Sequence, residues 1–386
     1  MTRIFVLVVF LSMSWAAQVH SPDPLFSPAP GSPVAVGAGS GKIVLADVSG
    51  DGHLDLVIQH LQSRIVTVQL GDGKGRFAAA TGSPIVLGYP PGDIKLGDVN
   101  NDRILDLGVT NSDRDSVDIF LGRGRGGFSR APASPFTASA SVEFYTRSLH
   151  LVDINEDRNL DIVTAHGRRN TFATLIGDGR GGFSAGTTVR LDLDSGQDRY
   201  SFAFGDIDGD GHLDVVAASG GNDPDLGSGR VVVQRGDGKG AFKNTSQTPI
   251  SVPAGLHFVT LAEMNGDQRL DIVISHGGNQ LSILLNSGHG KFAPAPASPY
   301  DLGTPAFAVA VADLNRDRRN DLVVATVDSV TVLLGDRGGF VPAPGSPFRA
   351  GPGAYHLTLG DVNKDGKLDV AASSFESNAV TVLLGR

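Results

Sequence analysis

The chain has no cysteine, and its 386 residues include one tryptophan and three methionines. Without thiols there are no disulfide staples, no thiol catalysis, no iron–sulfur cluster and no cysteine-ligated zinc. Glutamate is also nearly missing: Glu143, Glu156, Glu263 and Glu376 are the only four, so 37 of the 41 acids are aspartate. Helices favour glutamate, whereas turns and oxygen-ligated metal loops favour aspartate. A basic surplus is lacking too. Thirty-two Lys and Arg stand against those 41 acids, a formal charge of −9, which argues against a nucleic-acid binder that must neutralise phosphates. The 51 glycines and 21 prolines are many for a globular chain but fewer than disorder brings. These absences point to a turn-rich, all-β protein.

At the N-terminus Arg3 precedes the apolar run Ile4–Leu11, and Ser14-Trp15-Ala16-Ala17 follows with small residues. That is the order of a secretory signal peptide. The run is too short for a bilayer, which takes about 20 apolar residues, and no later segment is long and apolar enough, so no membrane span is expected. Residues 1–16 are read as the signal peptide, 17–24 as a short linker and 25–386 as one folded unit. The expected location is secreted or extracytoplasmic.

One nine-residue element recurs seven times, at intervals of 48 to 57 residues. Its first position holds Asp47, Asp98, Asp153, Asp206, Glu263, Asp313 and Asp361; its third holds Ser49, Asn100, Asn155, Asp208, Asn265, Asn315 and Asn363. Its fifth holds Asp51, Asp102, Asp157, Asp210, Asp267, Asp317 and Asp365, and its ninth holds Asp55, Asp106, Asp161, Asp214, Asp271, Asp321 and Asp369. Alternating apolar residues precede each element (Ile43/Leu45, Val309/Val311), and short apolar runs such as Leu56–Ile58 follow it. A third apolar stretch ends in a Gly-rich turn, and a Phe opens a fourth. Four strands in about 50 residues make a propeller blade, so the chain is expected to form a seven-bladed β-propeller of four-stranded antiparallel blades. The last repeat stops before its outer strand, and the missing segment stands at the other end as Phe26-Ser-Pro-Ala-Pro-Gly-Ser-Pro33. The N-terminal strand is therefore expected to close the last blade and leave no open edge.

Oxygen donors at alternate loop positions with a closing carboxylate suit Ca2+, which takes six to eight hard ligands at flexible angles. All 28 residues named above are candidate ligands, for up to seven sites. The sixth position needs a sharp turn. Gly52, Gly211 and Gly366 supply it in the first, fourth and seventh loops, whereas Arg103, Arg158, Gln268 and Arg318 occupy it elsewhere. The fourth, seventh and first loops are therefore expected to bind best. The competing reading is that Asp and Asn only cap turns.

The repeat resembles the FG-GAP/VCBS-type propeller repeats, whose relatives include the integrin α-subunit head and some fungal lectins. The resemblance covers residues 26–386 and implies calcium in the loops and, for some members, glycan or protein partners.

Several other patterns are accounted for by the repeat. Gly122–Gly127 and Gly177–Gly182 fit G-x-G-x-x-G but join two strands, which excludes a dinucleotide site. Arg235-Gly-Asp237 spells a cell-attachment tripeptide where sibling repeats have Leu-Gly-Asp. His60, His166 and His276 share one repeat position, are expected at the surface, and lie too far apart for a common zinc. The column that breaks the repeat stands six residues before each loop: Gly41, Gly92, Arg147, Tyr200, His257, Phe307 and Tyr355. It is expected to ring the channel mouth opposite the metal loops, with the irregular segments around 137–147 and 220–229 on the same face. Arg147, Tyr200, His257, Phe307 and Tyr355 are the candidate ligand-binding residues, since aromatics beside polar groups suit sugar faces. The overall reading is a calcium-stabilised binding or adhesion module for a glycan or an extracellular protein. The competing reading is a carbohydrate-active enzyme, a polysaccharide lyase or hydrolase, using paired carboxylates.

Overall fold

Alternation and short apolar runs dictate strands, and every regular element of the described residues is a strand. The computed structural model describes residues 23–386 except 138–145, 167–170, 192, 194–199, 221–228, 246–247, 277 and 338. Seven antiparallel sheets form the blades of a propeller. In the first, Ser40–Ala46 is innermost, followed outward by Asp55–His60, Ile65–Gly71 and Phe77–Ala79.

The second strand is the core of each blade. Asp55–His60, Asp106–Asn111, Asp214–Ser219 and their equivalents are buried at every residue. A neighbouring blade covers each face, which is why these strands read as unbroken apolar runs. The nonpolar clusters accordingly bridge blades: Ile43, Leu56 and Ile58 pack on Val362, Ala371, Val380 and Val382, joining first blade to last.

The outer strand is broken in two. In the first blade Phe77–Ala79 and Ile85–Val86 both pair with Ile65–Gly71, with the turn before Pro84 between them. The break would orphan the Val68 N–H, and the Ser83 hydroxyl accepts it at 3.0 Å. Ser134, Ser298, Ser346 and Ser32 do the same for Ile119, Ile283, Val332 and Val382, which gives the recurrent Ser-Pro its physical reason. The third blade lacks that motif and has a continuous outer strand, Phe183–Arg190.

The N-terminal strand closes the ring as the sequence implied. Phe26–Pro28 pairs with Leu383–Gly385 and Val34–Ala35 pairs with Ala379–Val380. Phe26 is 2% exposed and meets Phe348 edge-on at 5.4 Å between centroids. The proposed signal peptide and most of the linker lie outside the described residues.

The histidines correct one expectation. His60 and His276 are fully buried, because they end second strands that the neighbouring segments cover. His60 donates from Nδ1 to the Gly37 carbonyl at 2.9 Å and accepts the Thr67 hydroxyl at Nε2 at 2.8 Å. Burial pushes its pKa down, and that of His276 down to about 4. The side chain of His166 is outside the described residues.

Deleting the closing strand should therefore be costly. A chain beginning at Gly37 should lose several kcal/mol against one beginning at Ser21, with about 3–5 kcal/mol attributable to Phe26 alone. Urea denaturation of the two chains measures it, and equal midpoints would contradict the closure.

Candidate functional site

Six of the seven loops share one wiring. The first-position acid accepts N–H groups at the fourth or fifth and the sixth positions: Asp47 takes Gly50 and Gly52, both at 2.7 Å, and Asp361 takes Asp365 and Gly366 at 3.1 and 2.8 Å. The fifth-position carboxylate accepts the seventh N–H, as Asp51 does from His53 at 2.8 Å. Glu263 is one methylene longer and takes Asn265 and Asp267 instead of the sixth N–H, so the fifth loop departs from the pattern. The sixth position has positive φ throughout, at Gly52, Gly211 and Gly366 and also at Arg103, Arg158, Gln268 and Arg318. The left-handed conformation costs a non-glycine residue roughly 1 kcal/mol.

The ninth aspartate is set apart from the rest of the loop. All seven are fully buried. Asp55 accepts Val48 N–H at 3.0 Å with one oxygen and Gly71 N–H at 2.9 Å with the other. The equivalents bind loop and third strand in the same way, Asp214 through Ile207 and Gly236, both at 2.9 Å. A side chain at Gly71, Gly177 or Gly236 would run into the carbonyl of the residue before the ninth aspartate. Burial raises the ninth carboxyls despite those bonds, to about 6 at Asp214, Asp271 and Asp369.

The third position divides the loops. Asn100, Asn155, Asn265, Asn315 and Asn363 each donate an amide N–H to the fifth-position carboxylate, at 2.9 to 3.2 Å. The fourth loop has Asp208 there, and among the described residues only Asp206, Asp208 and Asp210 bring carboxylate oxygens within 4.8 Å of one another. Arg235 Nε pairs with Asp208 at 2.7 Å and its Nη2 donates to the His289 carbonyl at 3.0 Å, so the arginine of the tripeptide is engaged internally. That donor set fits a hard divalent cation, with Asp206, Asp208 and Asp210 as its carboxylates. Asp214 holds backbone instead.

On the inner strands, residues five and three positions before the loop face the channel. A cavity of about 440 Å³ there is lined by Lys42, Asp93, Lys95, Ser148, His150, Phe258 and His356, together with Gly92, His257, Phe307 and Tyr355. In the fifth, sixth and seventh blades the pairing skips one residue, between Leu256/Phe258, Ala306/Ala308 and Ala354/His356. The bulged residues are His257, Phe307 and Tyr355, and bulges re-aim side chains in this way. His257 meets Phe307 edge-on at 5.2 Å, Phe307 lies 6.5 Å from Tyr355, and Tyr355 is 45% exposed. Four of the seven column residues thus line the cavity. Gly41 is buried and does not; the side chains of Arg147 and Tyr200, and most of 137–147 and 220–229, lie outside the described residues.

The charged residues of the channel lie one and three positions after the candidate column, not in it. Period-two alternation puts the residues five and three before the loop on one face, and the series Lys42, Asp93, Ser148, Phe258, His356 already breaks an apolar pattern. Asp93 is 1% exposed, pairs with Lys42 at 2.6 Å and accepts Leu149 N–H at 3.0 Å, so it stitches three blades. Burial opposes its charge, yet Lys42 and then Lys95 hold the carboxyl below the usual range. Burial lowers Lys95, with Asp93 opposing. It pushes His150 and His356 down to about 3, with the lysines adding to the effect.

Asp93→Asn should therefore destabilise by about 1–3 kcal/mol, since two ammonium groups lose their counter-charge. Lys95→Met removes a half-buried ammonium that has no ion pair among the described residues, and should leave stability unchanged or higher. Urea denaturation separates the two; equal losses would contradict the assignment.

Two solved structures show what this architecture is similar to. BBS1N, in a complex with ARL6DN from a crystal soaked with lead, is 14% identical with a TM-score of 0.63, over 94% of this chain and 98% of that one. An Agrocybe aegerita lectin described as recognising non-reducing terminal N-acetylglucosamine is 17% identical with a TM-score of 0.54, over 87% and 86%. At these identities the likeness is one of fold. No curated protein matches the chain. The FG-GAP-like repeat pattern matches residues 47–109, 98–164, 153–217, 263–324 and 313–372, each match running from one loop into the next blade and together taking in all seven loops. The chain belongs to the FG-GAP-like repeat family.

Proposed function

We propose that this chain is a secreted, calcium-stabilised propeller that binds a glycan or an extracellular protein at the channel mouth opposite its loops. The observation that carries the reading is asymmetry. Six of the loops repeat the same internal hydrogen bonds with little variation, so they serve the fold alike. The channel mouth differs from blade to blade, and His257, Phe307 and Tyr355 line one side of it. Aromatic faces beside polar groups bind sugars or an inserted side chain well. The fold neighbours include one propeller in a protein complex and one lectin, in keeping with either partner. Export rests on Arg3 and the run Ile4–Leu11.

Calcium in this reading belongs first to the fourth loop. Asp206, Asp208 and Asp210 would hold it, and the ion would relieve the repulsion among three carboxylates that Arg235, paired with Asp208 alone, offsets only in part. The Asn-containing loops satisfy themselves with amide hydrogen bonds, and their affinity should be lower.

Two measurements test the proposal. With a site constant of ~0.1 mM, 1 mM Ca2+ should add about 1.4 kcal/mol, and Asp208→Asn should abolish most of that increment. A melting curve indifferent to calcium and chelator would end the metal claim. On a glycan array and in protein capture, Phe307→Ala with Tyr355→Ala should weaken binding by about 1–3 kcal/mol per ring at unchanged melting temperature. Undiminished binding by the folded variant would move the site elsewhere.

A further inference from the structure

The channel has a charge opposite in sign to that of the chain. The whole protein carries −9, yet Lys42 and Lys95 face a single carboxylate, Asp93, within the cavity. That carboxylate is already committed: it pairs with Lys42 at 2.6 Å and accepts the Leu149 N–H, while its other oxygen takes the Ile94 N–H at 2.8 Å. Lys95 has no ion pair among the described residues. His150 and His356 line the same space, and Nδ1 of His356 is buried with no hydrogen-bond partner. Phe258, level with His356 and 6.2 Å from it between ring centroids, lines the same cavity with Phe307 and Tyr355. The cavity therefore has a cationic floor with unused donors and an aromatic wall.

We propose that this cavity binds the carboxylate of an acidic sugar, with Lys95 as its principal counter-charge and Phe307 and Tyr355 against the ring. The proposal rests on the reading of the channel mouth as the binding face and names its ligand class. A carboxylate supplies the charge the floor lacks and an acceptor for the imidazole N–H groups. A pyranose ring offers the C–H face that aromatic side chains cover. At about 440 Å³ the space falls in the range of small-ligand pockets. A bare anion would use only the floor and a neutral sugar only the wall.

Protonation follows from the same placement. The charged and titratable groups around the ligand are Lys42, Asp93, Lys95, His150, His257, Tyr355 and His356. Burial and the two lysines disfavour the imidazolium forms of His150 and His356. A bound carboxylate opposes both lysines and favours those forms, so proton uptake on binding belongs to the acid range just above about 3, and affinity near neutral pH rests on Lys42 and Lys95.

Calorimetry on the full chain with D-galacturonate, D-galactose and acetate tests the proposal. Galacturonate should bind at least about tenfold more tightly than either comparison ligand, because each lacks one half of the complementarity. Lys95→Met should remove that preference and leave galactose binding as it was; Tyr355→Ala should weaken both sugars. Melting temperatures no lower than that of the parent chain establish that both variants are folded. Galacturonate binding no tighter than that of galactose, or undiminished in Lys95→Met, overturns the acidic-sugar assignment. If Tyr355→Ala still weakens array binding in that case, the channel-mouth reading survives; if Tyr355→Ala changes nothing, that reading falls as well.

Discussion

One buried carboxylate per blade holds this propeller together. The ninth residue of each loop opens the second strand with no exposure, and its oxygens bind the loop's second N–H and the last N–H of the third strand. Three stretches of chain that separate in sequence are thereby fixed at one point. The glycine that ends the third strand follows from this closeness, since a Cβ there meets a carbonyl. In the fifth blade Asn286 takes that place and donates Nδ2 to the carbonyls of Ile207 and Leu270 at 2.7 and 3.1 Å, which ties it to the blade before. A buried anion is costly without such donors, and burial still raises these carboxyls. Near the fourth loop Asp208 and Asp210 raise Asp214 further, so a cation there would ease the anchor as well as the cluster.

Given seven equivalent anchors, the rest of the molecule is free to vary, and it varies at the channel. The inner strands are required only to pack their outward face on the second strands. Their inward face carries Lys42 and Asp93 in the first two blades, His150 in the third, and Phe258, Ala308 and His356 in the last three. The bulges at His257, Phe307 and Tyr355 add three rings at the rim without disturbing the pairing beyond them. The anchored loops and the channel cavity thus occupy opposite ends of the same strand.

Much of this was legible in the sequence. A nine-residue element repeated seven times gives the blade count, and the displaced Phe26–Pro33 segment gives the closure. The role of the ninth aspartate was not legible, because a ligand and a buried acceptor look alike in a string of Asp. Nor was the burial of His60 and His276, which depends on what covers the end of the strand. The third position was read as equivalent donors, whereas an Asn amide presents an N–H to its neighbour and an Asp cannot; that difference singles out the fourth loop. The channel charges were present in the alternation, but their convergence needs the ring to close, since Lys42, Lys95, His150 and His356 come from four blades.

The central claim is that the ninth aspartate is an anchor rather than one ligand among several. Its most direct test is the unfolding of Asp106→Asn against Asp102→Asn in calcium-free urea. An asparagine at 106 keeps one acceptor and turns an amide N–H on either Val99 or Gly122, so the loss should be about 1–3 kcal/mol. Asp102 is exposed at the loop tip, and its replacement should cost less than about 0.5 kcal/mol. Equal losses at the two positions, or none at 106, would contradict the account.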